Sequence, residues 1–223
     1  MKNQPSKIQN KIEKLLALAK SSNPFEAKRA QTQAEALIKK LNGRDMFEDM
    51  MIIKSKNTIK STDLNQSDFN ILSSICAVTG TKHTVFETYK ELQPLFAGHH
   101  QDVEKAAYLY DSITDQLSEK KKTLAVQLTT KEVEFFCLSF ANSVNTKLYE
   151  AFGFNTCDEY TTAFAINQFG RDKLPIKRTQ KPLDAKNPIE KACSWTGFRA
   201  GESVDLTLPE KMTQNENQLY IEN

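Results

Sequence analysis

The chain has 223 residues, of which 39% are hydrophobic and 26% charged, a balance typical of a soluble globular protein rather than a disordered one. Its formal net charge is +2, so any attraction to nucleic acid must come from a local basic patch. No apolar run approaches the roughly 20 residues that span a bilayer, and no signal peptide is recognisable. The four cysteines form no C-x-x-C pair, which favours reduced thiols and a cytoplasmic location.

Two amphipathic helices are predicted at the N-terminus. Ser6 and Gln9 form a capping box for the first helix. Apolar residues then recur at helical spacing, namely Ile8, Ile12, Leu15, Leu16 and Ala19. Asn23-Pro24 starts a second helix with the stripe Ala27, Ala30, Ala34, Leu37, Ile38 and Leu41, closed by Asn42-Gly43. So short a connection predicts an antiparallel helical hairpin, and a hairpin of this size must dock on something larger.

The middle of the chain predicts a linker, a helix and two strands. Residues 54–64 (KSKNTIKSTDL) are polar and suit a linker. A helix is expected to end near Thr79-Gly80, and HTVFE and LQPLFA are expected to form two short strands. Pro94 predicts an edge position for the second strand, because proline cannot donate a ladder hydrogen bond. Gly98 should end that strand.

A long helix should follow Gly98, and its first turn raises the question of a metal or acid–base site. His99 and His100 are placed in that turn. Adjacent helical residues point about 100° apart, so the pair cannot easily hold one metal, although His83 could supply a third ligand. We therefore interpret the two histidines as a polar helix start and assign neither metal ligands nor catalytic residues. The buried face of this helix is predicted to be Val103, Ala106, Ala107, Tyr110, Ile113 and Leu117.

Three further helices are predicted from caps and apolar stripes. Capping boxes are expected at Thr129/Glu132 and Thr156/Glu159, and Asn187-Pro188 should start the last helix. The aromatic stripe Phe136, Phe140, Phe164 and Phe169 is typical of a core rather than of a base-stacking platform. Trp195 and Arg199 share a helical face and are expected to stack as a cation–π pair. Gly197 and Gly201 should bracket a turn into a strand-like segment at residues 204–208.

These elements together predict an α+β fold that is mainly α. The N-terminal antiparallel hairpin with its connecting segment is expected over residues 1–53. A mainly helical domain with a small antiparallel sheet should span residues 65–208, and residues 209–223 should form a loose tail.

The most distinctive charged region is the basic stretch, residues 171–186 (RDKLPIKRTQKPLDAK). It carries six basic residues against two acids, and its two prolines disfavour a helix. Such a loop suits contacts with phosphates, although a solvated linker has the same composition. The candidate nucleic-acid-binding residues are Lys173, Lys177, Arg178, Lys181, Lys186 and Arg199.

The opening KIEKLLALAKSSNPFEAKRAQTQAEALIKKLN resembles the leading hairpin of the bacterial and phage domain-of-unknown-function family 2786. That family has the pattern K-I-x-K-L-L-A-L-A, followed by E-A and a second alanine-rich helix. Three later segments are similar to its companion region, namely FAGHHQDVEKAAYLYDSI, SFANSVNTKL and GFRAGESVDL. The resemblance covers most of residues 7–206. It implies a bacterial or phage source, and so the cytoplasm of a bacterial cell, but no activity or catalytic residue.

Three classes of function remain open on the sequence. The first is a non-enzymatic protein that binds DNA or RNA through the hairpin and the basic stretch. The second is an accessory factor that docks through the hairpin on a host or phage protein, for example an inhibitor of a host enzyme. The third is a metal-dependent enzyme around His83, His99 and His100. The sequence contains no nucleophile elbow, Walker loop, dinucleotide fingerprint or H-E-x-x-H motif, and we predict no cofactor.

Overall fold

The computed structural model describes residues 14–19, 26–34, 47, 49–61, 63–124, 128–170, 184–210 and 212. The chain divides into two compact units, Met1–Asp49 and Met50–Asn223. In the described part of the first unit, residues 14–18 (α1) and 26–34 (α2) are helical. Ala30 and Ala34, four residues apart on one face of α2, are buried, as the alanine stripe predicts. The other ends and the connection of the predicted hairpin lie outside the described residues.

The second unit is mainly helical and carries a small antiparallel sheet, which confirms the predicted fold class. Its elements in chain order are β1 (Met50–Lys54), α3 (Gln66–Thr79), β2 (Lys82–Glu87), β3 (Leu92–His99), α4 (His100–Leu124), α5 (Thr130–Phe152), α6 (Glu159–Phe169) and α7 (Pro188–Glu202). None of the described helices is long and apolar enough to cross a membrane.

The sheet has the strand order β1-β3-β2, with both pairs antiparallel. The two predicted strands are confirmed, but β1 falls in the segment that we expected to connect the hairpin. The edge position predicted from Pro94 is wrong, because β3 is the central strand. Pro94 accepts a hydrogen bond from the Ser55 amide (3.1 Å), just past the last paired residue of β1. The Gln93 side-chain amide donates to the Ser55 carbonyl (2.8 Å) and replaces the bond that proline cannot make.

The stretch predicted as a linker, residues 54–64, packs against the rest of the second unit over much of its length. Ser55 and Ile59 are buried, and Ile59 forms an isolated β-bridge with Leu92. Ile59 exchanges two backbone hydrogen bonds with Leu92, each 2.9 Å long, and Leu64 packs partly buried against the core. The polar composition therefore reflects a surface segment with specific partners and not a free connection.

Strand β3 passes directly into helix α4 between His99 and His100. Gly98 lies inside the strand, so the predictions that it ends β3 and that His99 starts the helix are both wrong. Gly98 is held in the ladder opposite Met51 of β1, a strand that the sequence did not predict. The predicted buried face of α4 is confirmed in full, since Val103, Ala106, Ala107, Tyr110, Ile113 and Leu117 are all buried.

The caps of the later helices follow the sequence closely, with one exception. The capping boxes Thr129/Glu132 and Asn187/Glu190 are present, and the aromatic stripe of α5 is core. The box predicted at Thr156/Glu159 is wrong. The N-cap of α6 is Asp158, whose carboxylate accepts from the Thr161 amide. Glu159 is already the first residue of α6, so it does not lie at the third helical position that a capping box requires. The shorter Asp158 side chain, directly before it, accepts the hydrogen bond from the free Thr161 amide.

Helix α7 packs closely on α5, and this contact corrects the prediction for its glycines. Gly197 and Gly201 are buried inside α7, and residues 204–208 form no strand. A Cβ atom at Gly201 would lie 2.6 Å from the Phe140 carbonyl oxygen, and one at Gly197 would collide with the Phe136 carbonyl. The glycines therefore permit close approach of two helices rather than a turn. The tail beyond Met212 lies outside the described residues.

Candidate functional site

The structure describes two of the six residues predicted to bind nucleic acid. Lys173, Lys177, Arg178 and Lys181 lie outside the described residues. Lys186 and Arg199 are exposed near the two ends of α7. At 1.5 Å per residue, the stretch of helix between them spans roughly 16 Å, so the two cations do not form one cluster.

The start of α7 is anchored by a buried carboxylate. Glu190 points inward and forms an ion pair with Lys131 of α5. It also accepts hydrogen bonds from the backbone amides of Lys186 (2.6 Å) and Asn187 (3.4 Å). The Lys131 hydrogen bond, with smaller help from these amides, holds the pKa of Glu190 below its usual range. The negative charge of Glu190 is therefore balanced by Lys131 and does not lie on the exposed side of α7.

The exposed side of α7 carries aromatic rings rather than the predicted cation–π pair. Trp195 stacks on Phe198, with ring centroids 6.4 Å apart and planes at 16°. Arg199 instead forms an ion pair with Glu202 at 2.8 Å. A carboxylate three residues along the helix gives the guanidinium a charged partner, and the two rings bury apolar surface against each other. The predicted stacking of Trp195 on Arg199 is wrong.

We call this surface the α7 outer face and define it by Lys191, Trp195, Phe198 and Arg199. The opposite side of α7 is closed by the glycine contacts with α5, which leave no room for large rings. Trp195 is 65% exposed and Phe198 38% exposed, which is unusual for rings of this size. The face therefore presents a stacked aromatic pair beside exposed cations.

The three histidines lie in three separate environments. His99 Nε2 is 3.2 Å from an Asp158 carboxylate oxygen, and His100 Nδ1 is 3.7 Å from Glu104. Although burial raises the pKa of Asp158, hydrogen bonds from Thr161 and His99 bring it below its ordinary value. Among the described residues, no group of three or more His, Cys, Asp or Glu side chains could hold a metal ion.

His83 is buried, with its Nδ1 3.3 Å from the Cys76 sulfur. Burial raises the pKa of the Cys76 thiol to about 12 and lowers that of His83 to about 4. Both groups are therefore neutral at pH 7. This pair lacks the thiolate that a cysteine nucleophile requires.

A cluster of lysines that no sequence motif indicated lines a cleft of about 590 Å³ in the second unit. One wall is the segment 56–61 that was predicted as a linker, and the other is the C-terminal half of α4. The lysines are Lys56, Lys60, Lys121 and Lys122. Both runs are visible in the sequence as KSKNTIK and EKKK. Only the fold shows that lysines of both runs line one cleft.

Comparisons with known proteins bear on the N-terminus alone. Residues 7–42 match the family described as "Protein of unknown function (DUF2786)", which confirms the resemblance of the leading hairpin. The resemblance of the later segments stays a prediction. Neither the curated proteins nor the solved structures contain a match to this chain.

Proposed function

We propose that this protein is a non-enzymatic nucleic-acid-associated protein of bacterial or phage origin, and that the α7 outer face contacts single-stranded DNA or RNA. The observation that carries the proposal is the exposed, stacked pair of Trp195 and Phe198. Bases stack on such rings in single strands, each with about 1–3 kcal/mol, whereas duplexes keep their own bases stacked. This preference supports a single-stranded ligand over a duplex.

The charges around the aromatic pair support the same function. Lys186, Lys191 and Arg199 are exposed, whereas Glu190 is turned inward. The basic stretch, with its six cations, leads directly along the chain into α7. Glu202 holds Arg199 only in an exposed ion pair, and such pairs contribute about 1 kcal/mol or less. A phosphate can therefore replace that partner at small cost.

The experiment uses Trp195, the single tryptophan of the chain, as its own reporter. Single-stranded oligonucleotides are titrated into the full-length protein while tryptophan fluorescence and the anisotropy of a labelled oligonucleotide are followed. We expect quenching together with a rise in anisotropy, and weaker binding to a duplex of the same sequence. Trp195→Ala should weaken binding about fivefold or more, since 1 kcal/mol of stacking corresponds to that factor.

The matched control is Phe154→Ala. Phe154 is 68% exposed and stacks on Tyr149 with ring centroids 6.2 Å apart, a similar geometry on another part of the second unit. This variant should bind as the parent does. If the parent neither quenches nor shifts any oligonucleotide at moderate salt, the proposal fails.

A second candidate function, docking on a host or phage protein, is favoured by the apolar character of the same face. Ile189 is also exposed. Aromatic and Arg side chains are enriched at protein–protein interfaces. Under this alternative, Trp195→Ala would abolish binding to one defined partner protein, and oligonucleotides would not compete. Competition by oligonucleotides would exclude it.

A further inference from the structure

The lysine-lined cleft described above has no role in the proposed function, and its geometry points to a ligand of its own. We infer that it is a binding site for a small molecule that carries two or more phosphate groups. Its volume of about 590 Å³ lies within the usual range for small-ligand sites and far exceeds the space that one phosphate needs.

The charges of the lining favour an anion. Four lysines face two aspartates, Asp68 and Asp115. Asp115 accepts a hydrogen bond from the Asn57 side chain at 2.8 Å, and Asp68 accepts one from Asn65 at 2.6 Å. Of the cations, Lys122 pairs with Glu119 (2.7 Å) in an exposed contact that a phosphate can displace. Lysine binds phosphate as a point charge, so lysines from two separate segments of the chain suit a ligand with separated phosphates.

The backbone of the segment that carries Lys56 is fixed by hydrogen bonds in the absence of a ligand. Asp111 of α4 accepts hydrogen bonds from the Ser55 hydroxyl (2.7 Å) and from the amides of Lys56 (3.0 Å) and Asn57 (3.0 Å). The Asn57 side chain also donates to the Asp111 carbonyl (3.0 Å) and to the Thr114 hydroxyl (2.9 Å). A backbone held in this way loses little further freedom when a ligand binds. Only the lysine side chains must become ordered.

The remaining lining is polar in a way that suits the same ligand. Hydroxyl groups of Ser61 and Ser118 lie among the lining residues and can donate to phosphate oxygens. A neighbouring cleft of about 720 Å³, on the other side of Asn57, provides a contrast. Its lining carries Glu104, Asp111 and Asp115 against Lys54 and Lys56, so it has no cationic excess. The preference for phosphates is therefore assigned to the first cleft alone.

The test is isothermal titration of the full-length protein with pyrophosphate, ADP, inorganic phosphate and sulfate at constant ionic strength. We expect saturable binding of pyrophosphate and ADP that is at least tenfold tighter than that of phosphate or sulfate. The variant Lys56→Gln/Lys60→Gln/Lys121→Gln should weaken pyrophosphate binding by about tenfold or more, because it removes three positive charges that can form charge-assisted hydrogen bonds with the phosphates.

The control variant Lys54→Gln/Lys90→Gln/Lys120→Gln removes the same charge from residues that do not line this cleft. It should bind pyrophosphate within twofold of the parent. The inference is overturned if the parent shows no saturable binding, if sulfate binds as tightly as pyrophosphate, or if the control is weakened as much as the cleft variant. Displacement of ADP by a stoichiometric oligonucleotide would assign the cleft to backbone phosphates instead and would overturn the small-molecule assignment. Trp195 fluorescence reports on α7 separately, so failure here is distinguishable from failure of the proposed function.

Discussion

His83 is a buried titratable residue whose Nε2 has no hydrogen-bond partner in the described part of the chain. Its other nitrogen contacts Cys76, and its ring meets Phe69 edge-on, with centroids 6.2 Å apart. Burial is the main reason that its pKa falls to about 4, with a smaller contribution from Lys82. A proton on this ring would leave a charge in the interior that no described carboxylate neutralises. The native state is therefore expected to resist protonation of His83 until the solution is strongly acidic.

This environment predicts a pH dependence of stability with a definite sign. An unfolded histidine binds a proton near pH 6.5, whereas the folded one does so only near pH 4. The free energy of unfolding is therefore unaffected by the titration of His83 above pH 6.5. As the pH falls from 6.5 to 4, the unfolded state takes up the proton first, and the free energy of unfolding decreases by roughly 3 kcal/mol in total. Urea unfolding at several pH values should show this loss, and His83→Phe should flatten the curve in that window. Equal slopes for parent and His83→Phe would contradict the prediction.

Gly197 provides a second test at a single position. Alanine in place of an exposed helical glycine normally stabilises by about 1 kcal/mol. Here the added Cβ would collide with the Phe136 backbone, so we expect Gly197→Ala to lower the free energy of unfolding by about 1–3 kcal/mol. Urea denaturation measures the change. The neighbouring exposed Thr196→Ala should stay within about 0.5 kcal/mol of the parent. A stabilised Gly197→Ala protein would show that α5 and α7 are farther apart.

At the level of secondary-structure elements, the segment 55–59 connects β1, β3 and α4. The amides of Lys56 and Asn57 donate to the Asp111 carboxylate, and Ile59 pairs with Leu92. Asp111 is thus the residue that converts a polar stretch into an ordered wall. The Asp111 carboxylate accepts hydrogen bonds from several different donor groups. No single other side chain could therefore replace all of these hydrogen bonds.

Removal of the Asp111 side chain should release this wall locally. In Asp111→Ala, the amides of Lys56 and Asn57 lose their acceptor, so hydrogen exchange at these two positions should accelerate by about tenfold or more. Amides in the interior of α5 should keep their exchange rates. Asp115→Ala, which removes only one side-chain contact of Asn57, is the matched control and should have a smaller effect. Unchanged exchange in Asp111→Ala would mean that the other contacts of the segment, such as the Ile59 bridge to Leu92, are sufficient to hold it.

Across the molecule as a whole, the charge is nearly balanced, so binding to a polyanion must depend on local clusters. The basic stretch is the densest of these in the sequence. Counterion release makes such binding strongly dependent on salt and indifferent to base sequence. The α7 outer face and the basic stretch are consecutive in the chain and are proposed to act on the same ligand.

The basic stretch makes a prediction of its own. Replacing Lys173, Lys177, Arg178 and Lys181 with serine should weaken binding to unrelated oligonucleotides by similar factors. The slope of log affinity against log salt should become shallower by roughly 0.7–0.9 for each phosphate that the variant no longer neutralises. Fluorescence anisotropy at four or more salt concentrations gives both quantities. A variant with the parent's affinity and slope would identify the stretch as a linker only.

Features that depend on near neighbours could be predicted from the order of the amino acids alone. The caps at Thr129 and Asn187, the end of α3 near Thr79-Gly80 and the buried face of α4 were all predicted, because each arises within one or two helical turns. The fold class follows from the number of such helices against two recognisable strands.

Which distant segments meet depends on tertiary packing and could not be predicted in this way. Asn57 and Asp111 are 54 residues apart, and no local pattern predicts their hydrogen bond. The central position of β3 could not be inferred without β1, whose five residues carry no alternation, and Pro94 fits there because Gln93 supplies the missing donor. In the sequence, the glycines of α7 are typical of a turn. Only the structure shows that they lie against the backbone of α5. Both candidate sites arise in the same way, since close packing of α5 and α7 turns Trp195 outward, and the Asp111 contact brings two separate lysine runs to the lining of one cleft.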